Sequence, residues 1–212
     1  MIKKISKISW VCLIITLVMS CIALHAGHYE IVPSSEGNVL KIYDATAGRL
    51  SDEFGATIIQ EKYLHISITG EMLPVDFCVL STRANKCKSI DLSNVKTNQV
   101  PSLAFGSAGP GDEVDIEKFV FPKNLQIIQH GTLNGCPRLK KVILPENLKT
   151  IESNCFEWCP RLVLDIPSTI NIVGSSPFYA SPHIHFSKTP PFAETVHKTW
   201  SLWTYFFSTA NS

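Results

Sequence analysis

The C-terminal half of the chain carries a hydrophobic pattern that repeats. Phe121-Pro122-Lys123-Asn124-Leu125-Gln126-Ile127-Ile128 superimposes on Leu144-Pro145-Glu146-Asn147-Leu148-Lys149-Thr150-Ile151, and that block on Ile166-Pro167-Ser168-Thr169-Ile170-Asn171-Ile172-Val173. The offsets are 23 and 22 residues. Leu133, Phe156 and Phe178 keep the same register, as do Cys136 and Cys159, and Pro137-Arg138-Leu139 matches Pro160-Arg161-Leu162. A period of this length belongs to proteins whose units cannot bury an apolar face alone and stack to make one continuous core. Within a unit, Leu162, Leu164 and Ile166 alternate with Arg161, Val163 and Asp165, the period of a half-buried strand. The following proline cannot donate to a ladder and ends that strand. Leu148 and Ile151, three apart, suit either a tight helical turn or a second short extended segment, and Phe156 plugs the far side. Each unit is thereby expected to be one turn of a flattened right-handed coil.

The pattern fades towards the N-terminus without vanishing. Ser89-Ile90-Asp91-Leu92-Ser93 and Leu64-His65-Ile66-Ser67-Ile68-Thr69-Gly70 alternate like strands. Phe105 follows the first as a plug, and Phe77 and Leu80 are plug candidates after the second. Gly106 to Asp115, rich in Gly, Pro and acid, reads as a loop bulging from one coil. About five coils are expected from Tyr63 to Phe186, the repeat region running over 63–192. Residues 27–62, with Val39 to Leu50 at their centre, are expected to cap the first coil. In the tail, 193–212, Trp200, Trp203, Phe206 and Phe207 fall at three- and four-residue spacing along one helical stripe. Two readings stand there: a cap over the last coil, because terminal repeats must hide an apolar end, or an exposed patch for a membrane or partner.

The first residues have a different logic. Lys3, Lys4 and Lys7 precede Trp10 to Leu24, a mostly apolar run without a charge. That run is short for a bilayer span and of the right length for the core of an export signal over residues 1–26. Cleavage after Ala23 or Ala26 would release a soluble secreted protein. Alternatively, Val18-Met19-Ser20-Cys21 resembles a bacterial lipobox, in which case residues 1–20 are removed and Cys21 is lipidated.

Composition adds mainly exclusions. The chain is 45% hydrophobic and 17% charged, ordinary for a globular domain. Losing the leader removes three of 19 basic residues and none of the 18 acidic ones, so the mature chain is slightly acidic. No clustered basic face marks a nucleic-acid binder. Cys78, Cys87, Cys136, Cys155 and Cys159 follow the leader, in a chain large enough not to need disulfide staples.

These residues resemble the BspA-like leucine-rich repeat family of bacterial surface proteins. Leu144-Pro145, Leu148, Ile151, Cys155-Phe156, Cys159 and Leu162 follow the family's repeat, and Lys188-Thr189-Pro190-Pro191 is similar to the turn after its last full coil. Cys155 departs from it, standing where the family has a small Ala. So do Asn134-Gly135 after the plug, and Gly174 to Pro177 in the final coil. The resemblance implies a right-handed leucine-rich-repeat solenoid, a β-rich α/β fold with one short parallel strand per 22–24 residue coil. It also implies an adhesin-like binder of a host or envelope protein, or a glycan, exported to the cell surface as an outer-membrane lipoprotein or secreted. The membrane enters only through the leader or the lipid anchor.

No catalytic residue, metal or cofactor is expected. Cys136 and Cys159 occupy one position in adjacent coils. In parallel register their Cβ atoms stay farther apart than a disulfide prefers, so they read as a ladder of buried thiols. Buried thiols are poor nucleophiles, and His65, His130, His183, His185 and His197 form no local signature with them. Cys78 and Cys87 are close enough in sequence to bridge a loop. His183 and His185 share one face of a strand, two ligands where zinc usually takes three or four. Asp112-Glu113-Val114-Asp115-Ile116-Glu117 lacks the spacing of a calcium loop. The expected partner surface is the outward strand face, lined by Lys140, Lys141, Ile143, Arg161, Val163, Asp165, His183 and His185. A lipid-anchored structural or assembly component of the cell envelope is the alternative.

Overall fold

The computed structural model describes residues 28–60, 63–82, 86–106, 114–167, 169–172 and 176–187. The leader with Cys21, most of the Gly-rich acidic loop and the aromatic tail lie outside them.

Eight strands form one sheet in chain order. They are β1 (His28–Val32), β2 (Asn38–Ala45), β3 (Tyr63–Glu71), β4 (Ser89–Lys96), β5 (Lys118–Val120), β7 (Lys141–Ile143), β9 (Val163–Ile166) and β11 (His183–Phe186). Only β1 runs antiparallel, pairing with β2, and every later pair is parallel. A smaller parallel sheet holds β6 (Ile127–Ile128), β8 (Thr150–Ile151) and β10 (Asn171–Ile172). From β5 onward the chain alternates between the two sheets. Of the two expectations for Leu148 to Ile151 the extended one holds, so the three C-terminal units carry two strands each, one more than the resemblance implied.

The core lies between the sheets and follows the register of the repeat. Leu125, Leu148 and Ile170 are buried behind the prolines, as are the plugs Phe105, Leu133, Phe156 and Phe178. The plugs pack on neighbouring rings: Phe156 and Phe178 lie parallel with centroids 5.8 Å apart, and Phe105 meets Phe119 of β5 at 4.8 Å. Offset stacked and edge-on aromatic pairs add a directional preference to what burial already contributes.

Two backbone positions per C-terminal unit have left-handed φ. Gly131, Asn154 and Ser176 share one, and Gly135, Trp158 and Ala180 share the other. Both reverse the chain on its way back to the large sheet.

The N-terminal units use helices in place of the short strands. In α1 (Leu50–Ile59), Leu50, Phe54 and Ile58 recur every fourth residue and are buried, while Asp52 and Glu53 sit favourably in the first turn. The start of α1 is tied down by Asp76, which ends the 3-10 turn Pro74–Asp76 before α2 (Phe77–Ser81). Its Oδ2 accepts the N–H groups of Gly48 (2.7 Å) and Leu73 (2.8 Å), and its Oδ1 that of Leu50 (2.9 Å). A carboxylate that is only 1% exposed is thus satisfied by three backbone donors.

Candidate functional site

The outward face of the large sheet is ordered by the strand register. Ser89, Lys118, Lys141, Val163 and His183 lie opposite one another on successive strands. Two residues further along each strand, Val120 faces Ile143 and Asp165 faces His185. Leu162, Leu164 and Ile166 turn inward, while Val163 is 57% exposed and Ile143 40%. Large β-branched side chains are thereby held in water among Lys141, Asp165, His183 and His185.

All eight residues expected on the partner face are exposed, but they do not share one row. Lys140 stands just before β7, where its N–H and that of Lys141 both bond the Glu117 carbonyl, leaving Lys140 as an extra residue at the start of the strand. Its Nζ lies 2.7 Å from Glu117 Oε2, and that contact, with Lys88 and Arg138 nearby, holds the Glu117 carboxyl below its ordinary range. Lys140 is therefore partly spent on an internal pair. Arg161 sits in the turn before β9 in the position of Arg138, which pairs with Asp115 at 2.7 Å. Neither Lys141 nor Arg161 has an ion-pair partner among the described residues.

Sequence reasoning missed a depression of about 210 Å³ farther along the same face. Ser34 and Glu36, from the turn joining β1 to β2, line it together with Ser67, Asp91 and Lys118. His65 organises it: Nδ1 lies 2.7 Å from Ser89 Oγ and Nε2 3.3 Å from the Glu36 carbonyl. With Nε2 carrying the proton, the imidazole accepts from Ser89 and donates to Glu36. The alternation in Leu64-His65-Ile66-Ser67 already put His65 outside. What it did not encode is the turn folding back over it.

Cys136, Cys155 and Cys159 are buried and bonded to backbone carbonyls. Cys136 Sγ donates to the Phe105 carbonyl (3.6 Å) and Cys159 Sγ to that of Leu133 (3.2 Å), each reaching one unit back to a plug residue. Cys155 Sγ donates to Gln129 O (2.9 Å). Contact with the Cys159 thiol and burial push Cys136 well above the ordinary thiol range, and burial pushes Cys155 up to about 12. A thiol pushed up by burial, as at Cys136 and Cys155, is a poor nucleophile. Cys78 and Cys87 are not joined in a disulfide; the first is exposed and the second buried. Among the described residues no three His, Cys, Asp or Glu side chains gather as metal ligands. No described helix is long and apolar enough to cross a membrane.

The arrangement defines a class: a repeat protein with an in-register, mostly parallel sheet face in which the titratable core groups hold the stack together. The comparison with protein families agrees. Residues 112–199 match the BspA type Leucine rich repeat region in six copies. The crystal structure of a T. pallidum leucine rich repeat protein is similar at 14% sequence identity and a TM-score of 0.35. That similarity covers 75% of this chain, and the chain spans 66% of that protein. No curated protein matches the chain.

Proposed function

We propose that the chain is an exported protein-binding module whose units wind as a right-handed solenoid, with residues 27–62 capping the first coil. The observation that carries this reading is the exposed apolar pair Val163 and Ile143, held in register among Lys141, Asp165, His183 and His185 on a sheet built by a repeat used for protein interaction. A half-apolar centre within a mixed-charge rim is the usual anatomy of a protein interface. Exposed branched side chains on a rigid sheet also lose little conformational freedom when covered. Adhesion to a host or envelope protein is the use this face suits best, with a glycan as the other ligand class.

Immobilised full-length chain is compared with the Lys140→Glu, Lys141→Glu, Arg161→Glu triple variant in capturing proteins from envelope and host extracts. Bands retained by the first and lost by the second support the reading. Unchanged capture removes the partner from this face. Location is tested separately: palmitate labelling that disappears in Cys21→Ala marks a lipid anchor and favours the envelope-component alternative, and processed protein in the medium favours a secreted binder.

A further inference from the structure

The second left-handed position of the unit holds Gly135 (φ 67°), Trp158 (φ 57°) and Ala180 (φ 55°). Glycine suits this conformation, and a bulky side chain there strains the backbone. Leu103 is the other bulky described residue with positive φ, and packing accounts for it, because it lies directly over Gly131. Trp158, exposed to the same degree, has a ring neighbour in place of a glycine to lie over. Its side chain is 56% exposed and meets the 39% exposed Tyr179 edge-on, with ring centroids 5.6 Å apart. An exposed ring on a strained backbone is poorly explained by stability, and such residues concentrate where something binds.

The surroundings indicate what binds. Glu157 precedes the indole, and its Oε2 accepts Asn154 Nδ2 at 2.7 Å and Asn134 Nδ2 at 3.4 Å, which fixes the carboxylate in place. Residues 129–136, 152–159 and 176–181, the turns that build this edge, contain Glu152 and Glu157 but no lysine or arginine. His130 is their one other titratable side chain apart from Tyr179 and the buried thiols. Neither glutamate has an ion-pair partner among the described residues.

We propose that this edge is a second interaction surface, which takes a basic segment of a protein partner by seating an arginine on Trp158 and Glu157. A guanidinium is planar, weakly hydrated and able to stack on an indole face while forking its N–H groups towards a carboxylate. Trp158 is the platform, Tyr179 its lateral support and Glu157 the counter-charge. The surface is independent of the outward sheet face, since it is formed by turns that follow the three-stranded sheet.

The test uses full-length chain, a fluorescein-labelled arginine–glycine repeat peptide, a glutamate–glycine peptide of equal length and an array of neutral glycans. The arginine peptide is expected to bind and the glutamate peptide not. Trp158→Gly and Glu157→Gln should each weaken binding at least tenfold, while the Lys140, Lys141, Arg161 triple reversal leaves it in place. Trp158→Gly should melt no lower than the native chain, because glycine relieves the strained turn. Three results overturn the proposal: no binding of the arginine peptide, equal binding by Trp158→Gly, or a melting temperature several degrees lower in that variant, which would make Trp158 a packing residue. Glycan retention that depends on Trp158, with no peptide binding, would assign the edge to sugars instead.

Discussion

The hydroxyl of Ser181 donates to the carbonyl of Phe156 at 2.6 Å, one unit back in the stack. It occupies the position of Cys136 and Cys159, whose thiols reach back to Phe105 and Leu133 in the same way. What the repeat needs here is a small side chain with a donor on its γ atom. Ser181 does more than the thiols, because its Oγ also accepts the Cys159 N–H at 2.9 Å.

Ser181→Ala leaves a buried N–H and a buried carbonyl without partners, and is expected to destabilise the chain by about 1–3 kcal/mol. Ser181→Cys should recover much of that. Urea denaturation measures both; a neutral alanine variant would mean that water satisfies the two groups.

The buried Cys155 thiol makes stability sensitive to alkali. Well below about pH 8.5 the Cys155 thiol is protonated in the folded and unfolded chain alike. As pH rises further, unfolded thiols ionise, whereas folded Cys155 keeps its proton until about 12. The unfolded state then binds fewer protons, so stability falls as pH rises through this window. Between pH 8 and 10 the native chain should lose roughly 1–2 kcal/mol more than Cys155→Ala. Parallel pH profiles of the urea midpoint would rule this out.

Asp76 holds the N-terminal units together. Asp76→Ala deprives Gly48, Leu50 and Leu73 of their acceptor and should cost about 3 kcal/mol or more. Asp76→Asn, which keeps one oxygen acceptor, should fall between. Hydrogen exchange at the Leu50 amide should accelerate first, and protection unchanged in the alanine variant would show that the helix start has another anchor.

Gly70 lies where β2 and β3 shift register, with φ 110°. A Cβ there would run into the backbone N and O of Ala45. Gly70→Ala is expected to destabilise by more than about 2 kcal/mol, since backbone on both strands must move. A thermal melt that matches the native chain would show that the β2–β3 pairing adjusts without loss.

The repeat made the C-terminal units legible: alternation within a unit placed Leu162, Leu164 and Ile166 inside and Val163 and Asp165 outside, and the shared register of Cys136 and Cys159 buried both. Ser181 escaped because a hydroxyl replaces a thiol there, so the shared role is invisible to a comparison of side-chain types. Lys140 and Arg161 were exposed as expected, yet an extra residue at the start of β7 moved Lys140 into the row of Glu117. The cradle around His65 and the cap made by Asp76 depend on residues 29 and 26 positions apart. Neither contact is repeated along the chain, so no periodicity announces it. Trp158 shows the reverse: its position in the unit was readable, but its left-handed backbone was not.

The row in which Glu117 stands between Lys88 and Lys140 bears on folding as well as on the folded surface. Units that share one apolar pattern invite misassembly, in which one unit is skipped and the next stacks in its place. Skipping the Glu117 unit would bring the two ammonium groups of Lys88 and Lys140 face to face where an ion pair now stands. The exposed pair contributes little to stability once formed, yet it distinguishes the correct neighbour from the next one along and so keeps an otherwise interchangeable series in order.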